Sequence, residues 1–296
     1  MIWLTFLPAA LTLTLGVALS AVPLPLHPAW TARLLGTVAA GTAVAAVGTL
    51  VFITLNYAAT LFPRTADRLP EWALFGDDRP VHAALGVPAL TLTCLCAVTA
   101  ARLSVRWAAE VRHAQRDARS IVESDVPVAL AVPGRDGGVL VSRALLRTLD
   151  RAQLQVVFHH EGSHLRHHHH LYLAVGALAA AIIPPTRRLN AHLRFALERW
   201  ADEDAAEAVG DRALVARTIA EVALARSSAV PSAPSAPPFP AFTDSGVVQR
   251  VQALLTTAPA KNTVTGPLLL TGAALCSGCL ASVAWQVDHA LGLSFL

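Results

Sequence analysis

Four stretches of this chain, Met1 to Val22, Leu34 to Pro63, Val81 to Ala101 and Thr263 to Val287, are apolar on every side and carry no Asp, Glu, Lys or Arg. Each is about as long as a helix must be to cross a bilayer. Between the third and fourth the pattern changes. Leu154, Val157, Phe158, Glu161, His164 and Leu165 recur at helical spacing, with Asp150 where an N-cap belongs and Gln153 three residues on. Ahead of that helix, Val126 to Val132 and Val139 to Ser142 flank Pro133-Gly134-Arg135-Asp136-Gly137-Gly138, which predicts a β-hairpin. Beyond it, Ser227 to Pro240 is rich in Pro, Ala and Ser and reads as a flexible loop, and Val247 to Leu255 reads as a short amphipathic helix. The expected fold is a mainly α integral membrane protein: four transmembrane helices, a water-facing domain with a small β-hairpin, and one further apolar run, Leu171 to Pro185.

Composition agrees, at 54% apolar and 15% charged residues. The first run has no Lys or Arg ahead of it, so it reads as a retained helix rather than a cleaved leader. Arginine placement orients the spans. Arg102, Arg106, Arg112, Arg116 and Arg119 follow the third run against Glu110 and Asp117, whereas the loop before it sets Arg64, Arg68 and Arg79 against Asp67, Glu71, Asp77 and Asp78. The arginine-rich side is cytoplasmic, which puts both termini outside. Residues 1–101 are then a three-span membrane region, 102–262 a cytoplasmic domain with a flexible loop at 227–246, and 263–296 a last span with a short external tail. Arg102 to Arg119 is expected to prolong the third span as a basic helix. The four cysteines fall within the third and last apolar runs and imply packing rather than a disulfide framework. Lys261 is the only lysine, and no nucleic-acid motif accompanies the slight positive charge.

The chemistry is concentrated in His159-His160-Glu161-Gly162-Ser163-His164, followed 34 residues after His164 by Glu198. Residues four apart on a helix share a face, so His160 and His164 can hold one metal while Glu161 projects beside it. In a chain with 12 histidines such a pattern arises by chance about one time in a hundred. A catalytic zinc takes three protein ligands, which makes Glu198 the leading third. Asp202, one turn further on, is placed to accept the other ring N–H of a ligand histidine. This set implies Zn2+ as cofactor and amide hydrolysis, with Glu161 taking the proton of the attacking water and passing it to the leaving amine. The site also constrains the membrane arrangement. Were Leu171 to Pro185 to cross, His164 and Glu198 would stand on opposite sides. At 15 residues, broken by Pro184-Pro185 and followed by Arg187 and Arg188, the run is instead expected to turn back as a re-entrant or interfacial hairpin over 171–197. His167 to His170 reads as a solvated polar turn at its head. The β-hairpin is a candidate shelf for an extended peptide.

Taken together, the passage Gly138 to Leu146, the histidine motif, the passage Glu198 to Gly210 and the span pattern resemble the antirepressor metallopeptidase family, which includes the bacterial β-lactam sensor-transducers. The same segments resemble, more distantly, the heat-shock membrane proteases and prenyl-protein proteases. The resemblance implies a gluzincin-type peptidase domain in which His160, His164 and Glu198 are zinc ligands, Glu161 is the catalytic base and Asp202 orients a ligand histidine. It also implies a membrane-bound zinc endopeptidase acting on a cytoplasmic or membrane-associated protein, a transcriptional repressor being the family's example. The sensor-transducers carry a penicillin-binding domain beyond the last span, where this chain has only Asp288 to Leu296, so direct β-lactam sensing is not expected. The alternative is a non-catalytic membrane sensor or metal-binding protein that uses the peptidase fold as a signalling scaffold. Glu161 separates the two, since hydrolysis needs it and metal capture does not.

Overall fold

An apolar segment satisfies its backbone internally by forming helix. Where they are described, the apolar runs do so in the computed structural model, which describes residues 6–21, 24–62, 81–117, 121–134, 137–228 and 246–273. The N-terminal runs give α1 (Leu7–Ala21), α2 (Pro28–Leu61) and α3 (Ala83–Asp117). By length and composition α2 and α3 could each cross a membrane, whereas α1 covers 15 residues of the expected first span, whose residues 1–5 and 22 lie outside the described residues. Pro28 opens α2, where a missing N–H costs nothing, so this helix starts six residues before the uncharged run and takes in Arg33. The two long helices lie side by side, with Thr54 Oγ1 and Thr93 Oγ1 3.1 Å apart. α3 continues through its arginines to Asp117, and Gln115 Nε2 donates to Pro133 O at 2.7 Å, tying the helix to the hairpin. Residues 265–273 are helical. The rest of the expected fourth span, the expected external loop at 63–80, the external tail and loop residues 229–245 lie outside the described residues.

The hairpin is shorter than its sequence pattern suggests. β1 (Ala129–Val132) and β2 (Gly138–Val141) pair antiparallel, Ala129 opposite Val141 and Val132 opposite Gly138. Ser142 follows β2, its N donating to Val128 O at 2.9 Å, and its side chain caps α4 (Arg143–Thr148), accepting from Leu145 N at 3.2 Å. The next helix, α5 (Arg151–Arg166), starts on the predicted capping box. Asp150 Oδ1 accepts from Gln153 N at 2.8 Å, and Gln153 Oε1 accepts from Asp150 N at 2.9 Å.

After α5 the chain runs out along α6 (His169–Ile182), turns through a 3-10 segment at Pro184–Thr186 and returns as α7 (Arg187–Val209). The prolines end α6 because they cannot continue its hydrogen bonding. Gly176 lets the two limbs approach: a Cβ there would lie 2.5 Å from Asn190 Oδ1. α7 stops at Gly210, whose φ of 71° suits a residue without a Cβ. α8 (Arg212–Ser228) and the predicted α9 (Val247–Leu255) complete the described elements.

Ile53 of α2 packs against Val81 and Ala89 at the start of α3, and three further apolar clusters hold the rest. Leu35, Val38 and Ala39 of α2 pack against Ala179 of α6 and Leu189, Leu193, Leu197 and Trp200 of α7. Val156, Ala205, Val215, Ile219 and Leu254 join α5, α7, α8 and α9. Ala129, Leu145, Leu149, Val157 and Val222 fix the hairpin to α5 and α8. Because α7 doubles back, its second half lies along α5, beside the histidine motif.

Candidate metal centre

His160 and His164 sit one turn apart on the face of α5 that meets α7, and Glu198 and Asp202 sit one turn apart on the face of α7 that meets α5. Packing of the two helices therefore brings the four side chains together. His160 Nε2 lies 3.2 Å from His164 Nε2 and 3.6 Å from Glu198 Oε2, and His164 Nε2 lies 3.7 Å from Glu198 Oε1. Among the described residues these three form the group that could hold a metal ion. Donor atoms bound at zinc's usual distance in a tetrahedron are about 3.4 Å apart, close to all three separations. Glu198 Oε2 is buried, 3.6 Å from His160 Nε2 and 3.0 Å from Arg250 Nη1, so it is an anionic acceptor held beside the two imidazoles. The donor set and its spacing fit a zinc ion, with two histidines and a carboxylate at the protein positions.

Asp202 is fully buried, with Oδ1 3.1 Å from His160 Nδ1, where the sequence pattern places it. Glu161 is buried too, and its Oε2 accepts a hydrogen bond from Ala131 N of β1 at 2.8 Å. β1 is thus the hairpin strand that borders the motif, and one of its backbone donors reaches Glu161.

Arg250 of α9 was not picked out by sequence reasoning. It is the largest fully buried side chain. Its Nε and Nη2 donate to the two oxygens of Asp202 at 2.8 and 2.7 Å, and Nη1 lies 3.0 Å from Glu198 Oε2. One guanidinium therefore offsets two buried carboxylates, each costly without a partner. The helix carrying it is held by Arg212, which donates to Leu254 O and Ala253 O at 3.0 and 2.9 Å while pairing with Glu203. The sequence does hold a signal: Arg250 shares the inward face of α9 with Val247, Val251 and Leu254, and a charge on an apolar face needs a buried counter-charge.

His169 is the second residue missed, and the histidine tract is not the solvated turn its composition suggests. His167 and His168 make the turn, and His168 has a φ of 53°. His169 then opens α6 on the same face as Gly176, Ala179 and Ala180, completely buried. Its Nδ1 is 2.8 Å from His164 Nδ1, and its ring lies 4.7 Å from that of Trp200. His167 stacks on Trp200 at 4.4 Å and its Nε2 is 2.9 Å from Asp204 Oδ2. His170, half-buried, is not among the grouped ligands.

The charges are strongly coupled. Burial pushes His160 down, but Asp202 and Glu198 outweigh it and raise the imidazole to about 9. Burial lowers His164 to about 4 against the pull of Glu198. Glu198 reaches about 2, because Arg250 and the histidines overcome the upward push of burial. Asp202 is likewise held far below the usual carboxylate range, and burial raises Glu161 above it. A site with one anionic ligand, one neutral histidine and one protonated histidine is a site from which a metal must displace a proton.

The sequence model of Peptidase family M48 matches residues 100–185, from the extension of α3 through the hairpin and the histidine motif to the end of α6. That match supports the M48 metallopeptidase family, whose members are metal-dependent, and it stops short of Glu198, Asp202 and Arg250. The antirepressor resemblance is finer than it reaches. No curated protein and no solved structure matches the chain.

Proposed function

We propose that this chain is a membrane-bound zinc metalloendopeptidase, and the observation carrying the reading is the convergence of His160, His164 and Glu198 beside Glu161. His160, His164 and Glu198 would hold the ion, which supplies Lewis acidity that polarises the scissile carbonyl and makes water a nucleophile near neutral pH. Glu161 is the base: it takes a proton from the attacking water and returns it to the leaving amine. Burial raises this carboxyl above its usual range, which makes it a stronger proton acceptor. Asp202 accepts the Nδ1–H of His160 and holds that ring with Nε2 toward the ion. Arg250 holds Asp202 and Glu198 in place and keeps both ionised.

Among the described residues the outer edge of β1 pairs with no strand, which suits an extended peptide whose carbonyl could take the Ala131 N–H as Glu161 moves to the water. The apolar α2 and α3 support a membrane location, and the arginine placement would set the hairpin of α6 and α7 at the cytoplasmic surface. The substrate is then a cytoplasmic or membrane-associated protein, and the antirepressor resemblance makes a transcriptional repressor the first candidate. Glu161→Gln tests the enzyme reading. It keeps the helix and both imidazoles but removes the base, so turnover of a protein substrate should fall by about three orders of magnitude or more with zinc content unchanged. Cleavage products that persist unchanged in membranes carrying the variant at normal level would favour the signalling scaffold instead.

A further inference from the structure

We propose that His169 is the positioning residue of His164: its Nδ1 accepts the Nδ1–H of His164 and so fixes the tautomer that turns His164 Nε2 toward His160 and Glu198. The inference rests on the metal-site reading above. The two Nδ1 atoms are 2.8 Å apart, and a hydrogen bond between them needs one donor and one acceptor. His164 Nε2 faces the other ligand atoms, 3.2 Å from His160 Nε2 and 3.7 Å from Glu198 Oε1. A nitrogen that gives its lone pair to a metal carries no proton, so the proton of neutral His164 is on Nδ1 and His169 Nδ1 must accept it. His169 then carries its own proton on Nε2, an atom that is buried without a hydrogen-bond partner in the structure.

The ring cannot swing away from this duty. It lies edge-on to His164, with centroids 4.7 Å apart, and is backed by Trp200 at 4.7 Å and His167 at 5.9 Å. His168, at φ 53°, turns the chain sharply enough for the first residue of α6 to come back beside the last turn of α5. The two ligand histidines are thus oriented in different ways. His160 leans on the anionic Asp202, and His164 leans on a neutral ring that adds no further negative charge to the carboxylates of Glu161, Glu198 and Asp202.

The test uses purified full-length protein and zinc affinity by chelator competition. His169→Phe keeps a ring against Trp200 but removes the acceptor, and should weaken zinc binding about 10 to 100 fold. His169→Asn offers Oδ1 near the place of Nδ1 and should recover most of that loss. A folded His169→Phe protein that binds zinc within about twofold of wild type overturns the proposal. Nitrogen-15 imidazole spectra of the zinc-loaded wild type decide it independently of any variant's folding. An Nδ1–H on His164 with an Nε2–H on His169 is expected, and an Nδ1–H on His169 overturns it. Failure of the metal reading looks different: wild type would bind no stoichiometric zinc, or His160→Ala would bind it unchanged.

Discussion

Replacing Arg250 by Met keeps most of the aliphatic volume of a fully buried side chain and removes its charge. Asp202 then loses two hydrogen bonds of 2.8 and 2.7 Å, and Glu198 loses a cation at 3.0 Å. Breaking a buried pair by deleting one partner costs about 3 to 5 kcal/mol, because the remaining charge stays buried without compensation. Here two carboxylates are stranded, relieved in part by His160. For a protein of this size each kcal/mol is worth about 2 to 4 °C, so the zinc-free variant should melt about 6 to 20 °C below zinc-free wild type. Bound zinc would restore positive charge beside Glu198, so the deficit should narrow in the loaded protein. It should narrow at low pH as well. Glu198, depressed to about 2, contributes stability that is present above its unfolded value of about 4.3 and is lost as pH falls through about 2. The variant has less of this contribution to lose. The assay is thermal unfolding in detergent, zinc-free and zinc-loaded, across about pH 2 to 8, run as a double-mutant cycle with Asp202→Asn. A zinc-free deficit below about 3 °C at pH 7, or a coupling energy to Asp202 indistinguishable from zero, would refute the counter-charge argument.

Three further outcomes are expected. His160→Ala, His164→Ala and Glu198→Ala should each lower bound zinc in metal analysis of purified protein, whereas Glu161→Gln should not; full retention in Glu198→Ala would strike that residue from the ligand set. Because His160 sits at about 9 without metal while His164 and Glu198 sit at about 4 and 2, zinc must displace one proton at pH 7. Affinity corrected for buffer should then rise about tenfold per pH unit from pH 7 to about 9 and level off above it, and a flat profile would contradict the assigned protonation. Cysteines placed at Arg166 and Arg188 should label from the same side of the membrane, since the chain between them turns back at Pro184–Thr186; labelling from opposite sides would make a shared metal site untenable.

Much of this protein is legible in order of sequence distance. The Asp150 and Gln153 capping box, the four-residue spacing of His160 and His164, the end of α6 at its prolines and the whole of α9 are set by residues within one or two turns of each other. Local backbone chemistry suffices for these, and the pattern shows them directly. Glu198 and Asp202 could be nominated because a two-histidine site lacks a third ligand and a helical turn separates the two acids. That they reach the histidines is decided by the reversal of α6 into α7, packed against α2 through Leu35, Leu189 and Leu193. Arg250 and His169 were missed for the same reason. Arg250 shows only as a charge on the inward face of α9 and His169 only as one of a histidine tract, and each becomes part of the site when another helix supplies Asp202 or His164 at hydrogen-bond distance. Period and spacing tell which face of a helix is inward. They do not tell which buried charge waits on the facing helix, because that pairing is an energy of tertiary packing rather than of local sequence.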